Sequence, residues 1–205
     1  MAENAAPAPL LTVRDVAAQR GGRIAFSGAM LTIAPGEIYV LRGPNGAGKS
    51  TLLRLLAGRA RPLKGTIAIE RGDLASMTTL IGHADGIKGA LTADENVLFW
   101  RDLYGADNAQ VDRARSAMAI DSFRKQRAAT LSAGQRRRVS LCRPIISKRP
   151  IWLFDEPTAG MDAPSVARVL AMIEAHAASG GAVVIATHEP LEIAGARQIA
   201  MAVAA

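Results

Sequence analysis

Short apolar runs alternate with helical patterns through the first third of the chain. The pattern predicts β segments at residues 10–16 and 30–33, then a strand at residues 38–41 whose unbroken apolar run indicates burial on both faces. After a glycine-rich loop, leucines at helical spacing predict a short helix over residues 49–57 that ends at Gly58. A strand, a loop and a helix in this order begin an α/β fold.

The rest of the chain keeps this alternation around a helical stretch. The segment that begins at Thr92 has the spacing of a capping box and predicts a helix to Tyr104, and a second helix is expected from Ser132. Asp162 is expected to cap another helix that ends at Gly180. Residues 106–129 are predicted to be helical, and strands are expected at residues 65–70, 77–81, 151–154 and, as the final strand, 182–187. These elements predict an α/β protein with a helical subdomain.

Composition limits the class of protein without deciding its function. A chain of 205 residues with 49% hydrophobic and 21% charged residues can bury a substantial core and is not mostly disordered. Its single cysteine, Cys142, excludes an internal disulfide and a cysteine-cluster metal site, and fits a reducing compartment. No apolar run approaches about 18 residues and the start lacks a signal-peptide layout, so we expect a cytoplasmic protein with residues 1–9 as a disordered tail. The net charge of +7 suggests an anionic partner such as nucleic acid or lipid.

The glycine-rich loop carries the most specific chemistry. Residues 43–50 match G-x-x-x-x-G-K-[ST] at every position, with a predicted strand before them and a helix after them. Glycines here let backbone N–H groups turn towards phosphate oxygens, and the helix N-terminus adds its partial positive charge. Lys49 is expected to reach the β- and γ-phosphates of a nucleotide, and Ser50 to ligate Mg²⁺. The predicted nucleotide-binding residues of the loop are Gly43, Pro44, Asn45, Gly46, Ala47, Gly48, Lys49, Ser50 and Thr51.

A second motif places two carboxylates at the end of a buried strand. Residues 151–154 are apolar and are followed directly by Asp155 and Glu156. The carboxyl end of a strand in a parallel sheet faces the crevice where ligands bind. We therefore expect Asp155 to hold Mg²⁺ and Glu156 to act as general base on the attacking water.

Three further motifs resemble those of ATP-binding cassette (ABC) proteins and follow one another in the family's order. Residues 131–135, Leu-Ser-Ala-Gly-Gln, resemble the LSGGQ signature, residues 158–162 resemble the D-loop, and Thr187-His188 resembles the switch histidine. With the phosphate loop, the resemblance covers residues 10–200. It implies a P-loop NTPase cassette with a mixed RecA-like core, an antiparallel β segment and a helical subdomain at about residues 84–145, all within one nucleotide-binding domain at residues 10–205.

The resemblance also implies that ATP is bound with Mg²⁺ between two subunits. Two cassettes would pair head to tail, most simply as a homodimer, with each ATP between one phosphate loop and the partner's signature segment. Ser132, Gly134 and Gln135 begin a predicted helix, whose N–H groups and dipole can face a γ-phosphate. Asp162 of the D-loop would line the same site, and His188 would contact the γ-phosphate.

One stretch narrows the family further. Residues 81–88 (IGHADGIK) and 91–96 (LTADEN) resemble segments of the haem exporter ATP-binding subunit of bacterial cytochrome c maturation. This resemblance implies a peripheral ATPase at the cytoplasmic face of the bacterial inner membrane, with integral membrane haem-exporter subunits as partners and haem as the indirect substrate. Phe99, Trp100 and Tyr104 follow this stretch, either as a cleft for a membrane subunit's helix or as ordinary core.

Three positions depart from the family pattern. His83 stands where the Q-loop glutamine is expected, and Ala84 follows where haem exporters often have glutamine, so His83 is a candidate to contact Mg²⁺ or the lytic water. Arg20 occupies the place of the aromatic residue that stacks on adenine, and its guanidinium plane can stack instead. Pro144 is expected to kink the helix that follows the signature.

Two other functions stay open at this point. One is an ABC ATPase of another membrane machine, of the lipoprotein-release or division type. The other is a nucleic-acid-associated ABC ATPase, which the short spacing between Lys49 and Asp155 disfavours because repair ATPases hold a long coiled coil there. The basic run at residues 136–138 is interpreted as a solvated helix face and His176 as a surface or interface histidine. Taken together, the motifs predict that the chain has no nucleic-acid partner.

Overall fold

The computed structural model describes residues 8–202, so most of the predicted tail lies outside the described residues. The chain divides into two compact units, a sheet unit (Met1–Leu80, Pro150–Asp155 and His176–Ala205) and a helical unit (Ile81–Arg149 and Glu156–Ala175). In chain order the elements are β1 (Leu11–Arg20), β2 (Arg23–Ile33), β3 (Ile38–Arg42), α1 (Lys49–Leu56), β4 (Lys64–Ile69), α2 (Leu74–Met77), β5 (Thr78–Ile81), α3 (Ala93–Tyr104), α4 (Asn108–Met118), a 3₁₀ turn (Ala128–Thr130), α5 (Ala133–Ser147), β6 (Ile151–Asp155), α6 (Ala163–Ala178), β7 (Ala182–Ala186) and β8 (Arg197–Ala200).

Two sheets enclose α1 in the sheet unit. Strands β2, β1 and β4 form an antiparallel sheet in that order, and the second sheet has the order β5-β6-β7-β3-β8. β3 pairs in parallel with β7, and β7 pairs in parallel with β6. The residues of β6 and β7 are all buried, as continuous apolar runs predict for strands covered on both faces. The core of this unit joins residues of both sheets to the leucines of α1, Leu52, Leu53, Leu55 and Leu56.

Helices α3, α4 and α5 pack against one another in the helical unit. The capping box predicted at the start of α3 is present, because Thr92 Oγ1 accepts from Glu95 N at 3.1 Å and Glu95 Oε2 accepts from Thr92 N at 2.7 Å. Helix α5 continues through Pro144 to Ser147. Cys142 is fully buried on this helix, and burial raises the pKa of its thiol. The apolar side chains buried within these helices include Val97, Trp100, Val111, Met118, Val139 and Ile146.

Three sequence predictions about elements are wrong in extent. β2 begins at Arg23 rather than at residue 30, because it is an edge strand whose many exposed positions hide the apolar alternation. β8 follows the strand predicted to be the last, and it too is an edge strand with mostly exposed residues. Residues 106–129 are not helical throughout, since α4 ends at Met118 and Ala119 takes the left-handed conformation with φ 47°.

Candidate active site

The glycine-rich loop lies between the end of β3 and the start of α1. Gly43, Gly46 and Gly48 have φ values of 150°, 88° and 88°, which residues with a side chain rarely adopt. Lys49 is only 7% exposed, and its Nζ donates to the carbonyl oxygens of Gly43 and Pro44 at 2.6 and 3.0 Å. The ammonium group therefore lies directly against the loop that it is expected to serve.

Neighbouring atoms leave no room for a side chain at Gly43 or Gly48. A Cβ on Gly48 would lie 2.6 Å from Cδ1 of Phe26 and 3.4 Å from the carbonyl oxygen of Ala25. A Cβ on Gly43 would collide with the backbone carbonyl of Met201. The loop is a cradle in which the backbone conformation favours glycine at all three positions, and the packing also requires it at Gly43 and Gly48.

The donors of this cradle suit a phosphate-bearing ligand with its Mg²⁺. Helix α1 begins at Lys49, so the positive end of its dipole and the N–H groups of its first turn lie beside the Lys49 ammonium. The first turn of this fully described helix contains no acidic residue that would repel an anion. Ser50 adds a half-buried hydroxyl, an oxygen ligand of the kind that Mg²⁺ prefers.

Strand register brings the predicted loop, carboxylate and histidine to one sheet edge. Leu41 of β3 and Asp155 of β6 both pair with Ala186 of β7. The loop starts at Gly43, shortly after Leu41, and His188 follows Ala186 at the same distance along the chain. Asp155 is 6% exposed, whereas His188 is exposed. The carboxyl edge of this parallel sheet therefore carries all three, as the strand-end argument predicts.

Arg42 was missed by the sequence analysis, although it anchors the segment after His188. Its guanidinium donates to the carbonyl oxygen of Glu189 and, at 3.4 Å, to that of Leu191. Glu189 N in turn donates to Thr187 Oγ1 at 3.0 Å. His188 thus lies between two anchored neighbours. A charged residue at the end of an otherwise apolar strand was the available signal.

Glu156 and the buried Arg137 belong to the helical unit and contact each other there. Glu156 is 9% exposed and has the left-handed φ of 51°. Arg137 is 6% exposed and donates from Nη2 to the carbonyl oxygen of Glu156 at 2.8 Å. The interpretation of residues 136–138 as a solvated face is therefore wrong for Arg137, because this position of α5 points into the unit. Three consecutive arginines carry no signal in the sequence that separates Arg137 from its neighbours.

The predicted signature residues lie at the start of α5. Ser132 is the N-cap, and its Oγ accepts from Gln135 N at 3.2 Å while Gln135 Oε1 accepts from Ser132 N at 2.9 Å. Gly134 lies in the first turn, where a Cβ would be 4.0 Å from the carbonyl oxygen of Gly160. The helix N-terminus predicted here is confirmed, and the contact of its N–H groups with a γ-phosphate stays a prediction.

Asp162 caps α6, as the sequence predicts. Its Oδ1 accepts from Ser165 N at 2.9 Å, and its carbonyl oxygen accepts from Val166 N at 2.9 Å. The hydrogen bonds from Ser165 hold the pKa of the Asp162 carboxyl below its ordinary value. The side chain is thus ionised and already engaged in capping.

His83 and Arg20 are the two unusual candidates, and both side chains are exposed. His83 lies in the helical unit within residues 82–85, a segment held on α5 by Ser140 Oγ, which donates to the carbonyl oxygen of Asp85 at 2.7 Å. Arg20 ends β1 in the sheet unit, where it pairs with Arg23 across the hairpin. Their roles stay predictions.

His176 is half-buried rather than fully exposed. Its ring stacks on Trp152 with centroids 3.6 Å apart and an interplanar angle of 2°. Its Nε2 lies 3.0 Å from the carbonyl oxygen of Pro150. Burial lowers the pKa of His176 below its ordinary value. The residue is therefore part of the packing of the sheet unit.

The aromatic residues of α3 divide between core and surface. Trp100 is 3% exposed and belongs to the core, whereas Phe99 is 41% exposed and carries Lys88 Nζ 4.8 Å above its ring. Leu103 is 62% exposed on the same helix. Phe99 and Leu103 are thus the apolar side chains that α3 leaves available to a partner.

Residues 8–202 contain neither a cluster of metal-ligating side chains nor a membrane-spanning helix. No group of three or more His, Cys, Asp and Glu side chains in this range is placed to hold a metal ion. No helix in the same range has both the length and the apolar character needed to cross a membrane.

Comparison with known proteins gives a consistent result. The sequence profile described as "ABC transporter" matches residues 26–159. The "Cytochrome c biogenesis ATP-binding export protein CcmA" of Paracoccus denitrificans is 46% identical over 179 residues, which is 87% of this chain and 82% of that protein. The protein of the same name from Rhodobacter capsulatus is 41% identical over 193 residues, 94% of this chain and 87% of its own length.

Solved structures share the fold. A bacterial Atm1-family ABC exporter with ATP bound superposes with a TM-score of 0.81 at 27% identity, and this chain spans 99% of its own length but 40% of that exporter's chain. A putative ABC transporter ATP-binding protein from Pyrococcus furiosus has a TM-score of 0.82 at 23% identity, with 93% of this chain and 96% of that chain covered.

Proposed function

We propose that this chain powers a membrane complex of cytochrome c biogenesis. The premise is that the chain belongs to the ABC transporter family and is one of its ATP-binding, ATP-hydrolysing subunits. The observation that carries this proposal is that relatives named as cytochrome c biogenesis ATP-binding export proteins match most of this chain and most of their own length. The phosphate cradle and the strand-end carboxylate supply the matching chemistry.

The phosphate loop binds the triphosphate of ATP. Lys49 exchanges the carbonyl oxygens of Gly43 and Pro44 for β- and γ-phosphate oxygens, which neutralise its charge far better. Ser50 and Asp155 are the residues that would hold Mg²⁺, with Thr51 beside them, and the ion would supply charge neutralisation at the phosphates. Arg20 stacks its guanidinium plane on the adenine ring.

Glu156 activates the water that attacks the γ-phosphate. Its carboxylate accepts a proton from the water, the water oxygen bonds to the γ-phosphorus, and the bond to the bridging oxygen breaks to release ADP and phosphate. His188 contacts the γ-phosphate from the sheet edge, and His83 takes the place of the Q-loop glutamine at the water or the metal.

Two copies of the chain complete the site head to tail. Ser132 and Gly134 lie at the capped N-terminus of α5, where N–H groups and the helix dipole attract the γ-phosphate bound by the other copy. Gln135 and Asp162 border this contact. The same N-terminus faces water in a monomer, so ATP stabilises the dimer by supplying the missing anion.

The membrane partner binds the helical unit at the cytoplasmic face of the bacterial inner membrane. Phe99 and Leu103 supply exposed apolar surface for an integral membrane subunit, and Lys88 above Phe99 adds a positive rim. Haem is the indirect substrate, because the chain supplies ATP hydrolysis to membrane subunits that handle haem or its periplasmic carrier.

A substitution of the general base tests the chemistry. Glu156→Gln should abolish turnover but keep ATP affinity, and should trap an ATP-bound dimer that elutes early in gel filtration. Glu174→Gln, an exposed position on α6, is the matched control and should keep wild-type turnover. An undiminished hydrolysis rate in Glu156→Gln would remove Glu156 from its assigned role.

The phosphate loop and the Q-loop position are tested separately. Lys49→Ala should lose nucleotide affinity, so normal ATP binding by that variant would contradict the proposed cradle. His83→Ala should hydrolyse ATP more slowly, and wild-type kinetics would show that His83 does not replace the glutamine.

The assignment to cytochrome c biogenesis is tested in cells and membranes. Deletion of the gene should stop attachment of haem to c-type cytochromes, and the chain should co-purify with integral membrane subunits of that system. ATPase assays with and without these subunits should show stimulation. Normal cytochrome c levels in the deletion strain would refute the assignment while leaving the ATPase intact.

A further inference from the structure

We propose that Arg137 is a positioning residue that fixes the backbone of Glu156 and ties it to the segment of residues 82–85. The proposal rests on the proposed function, in which Glu156 is the general base. All the groups involved belong to the helical unit.

The guanidinium of Arg137 contacts two separate segments. Nη2 donates to the carbonyl oxygen of Glu156 at 2.8 Å, and Nε donates to that of Pro157 at 3.2 Å. Nη1 donates to the carbonyl oxygen of Gly82 at 2.7 Å and lies 3.4 Å from Asp85 Oδ1. All three nitrogens are therefore used, and at 6% exposure the group has almost no contact with solvent.

The contact with Glu156 stabilises an unusual backbone. Glu156 has φ 51°, a conformation that costs a residue with a side chain of the order of 1 kcal/mol or more unless its surroundings hold it. The charged donor of Arg137 binds the carbonyl oxygen of this same residue, which also accepts from Ala159 N at 3.4 Å. Because the direction of the side chain follows the backbone conformation, the arginine sets where the carboxylate points.

The other side of the guanidinium holds the segment that carries His83. Asp85 receives Arg137 on one carboxylate oxygen and Arg136 Nε, 3.9 Å away, on the other. Ser140 fixes the backbone of the same residue. A displacement of residues 82–85 therefore pulls on the group that holds Glu156. Arg137 therefore connects the segment of His83, which is proposed to contact the metal or the water, to Glu156, which is proposed to accept the proton.

Arginine suits this position better than lysine. Its planar guanidinium presents donors in fixed directions and can bind carbonyl oxygens of two segments at once. A lysine ammonium is a point charge on a flexible stem and cannot span both with the same geometry. The two residues should therefore differ in catalysis even where both allow folding.

The test measures hydrolysis and binding in three variants of the full chain. Arg137→Gln should lower kcat by about 10²-fold, the loss that a misplacement of about 1 Å causes, while the Kd for ATP stays within a few-fold of wild type. Arg137→Lys should recover part of kcat. Arg138→Gln is the matched control, since Arg138 lies on the same helix but binds the carbonyl oxygens of Met118 and Ala119 and the ring of Phe123. It should lose stability and keep kcat.

A double variant separates positioning from general structural damage. If Arg137 acts through Glu156, then Arg137→Gln combined with Glu156→Gln should hydrolyse ATP at the residual rate of Glu156→Gln alone. If the falls in kcat of the two single variants multiply in the double variant, the proposal is overturned. Equal falls in kcat for Arg137→Gln and Arg138→Gln would also overturn it, and so would loss of folding in both Arg137 variants. Full turnover in Glu156→Gln alone would instead refute the general base of the proposed function, before Arg137 is considered.

Discussion

The contact between Gly48 and Phe26 gives a quantitative test of the phosphate cradle. Gly46 and Gly48 share a φ of 88°, so alanine at either position meets the same unfavourable region of φ. The two differ in space, because a Cβ at Gly46 has no heavy atom within 4 Å, whereas a Cβ at Gly48 lies 2.6 Å from Phe26 Cδ1. Gly46→Ala is therefore a matched control for Gly48→Ala.

The expected costs follow from these geometries. Gly46→Ala should lower the free energy of unfolding by about 1–2 kcal/mol, the price of an L-residue at positive φ. Gly48→Ala should lower it by a further 1–3 kcal/mol or so, the usual cost of overpacking, because Phe26 is 6% exposed and cannot swing out freely. The difference between the two variants measures the contact alone.

Urea unfolding followed by circular dichroism, without nucleotide, supplies the measurement. In a Phe26→Val background the side chain has no δ carbon and the contact is absent, so Gly48→Ala should then cost about as much as Gly46→Ala. Equal costs for the two alanines in the wild-type background, within about 0.5 kcal/mol, would show that the loop does not depend on Phe26.

Three other predictions address the cap, the half-buried histidine and the switch segment. Ser132→Ala should destabilise the chain by about 1 kcal/mol because it removes the N-cap of α5, and Ser132→Asp should recover the loss in a thermal melt, which would not happen if the hydroxyl served nucleotide contact alone. Burial lowers the pKa of His176 below 6.5, so the unfolded chain binds the proton more readily than the folded chain. The folded chain is therefore most stable, with respect to this group, above pH 6.5, and it loses stability as the pH falls from 6.5 through the lower folded-state pKa. His176→Phe keeps a stacking ring and should flatten the dependence of Tm on pH between about 8 and 5; a wild-type slope in this variant would assign the effect elsewhere. Arg42→Met should raise hydrogen exchange at residues 188–193, since it removes the donor to Glu189 and Leu191, and unchanged protection there would show that the segment is held by other contacts.

The sequence alone determined the features that neighbouring residues encode. The phosphate loop was predictable because its glycines and Lys49 lie within seven consecutive residues, and the structure gives the glycines positive φ and places the Lys49 ammonium against the loop. The cap at Asp162 was predictable because it joins residues a few positions apart on one helix. Buried strands such as β6 were predictable because burial on both faces demands an unbroken apolar run.

Tertiary structure decided the features that depend on what packs against a residue. Arg136 and Arg138 flank Arg137 and carry the same side chain, yet Arg137 alone of the three is buried, because the helical unit brings carbonyl groups of residues 82 and 156 to its face of α5. His176 stacks on Trp152, which lies on another element, so no local pattern predicted this contact. The edge strand β8 owes its place to pairing with β3 rather than to its own apolar pattern. Local chemistry is encoded in adjacent residues, whereas a side chain's partner is set by contacts between distant segments, which exist only after the chain has folded.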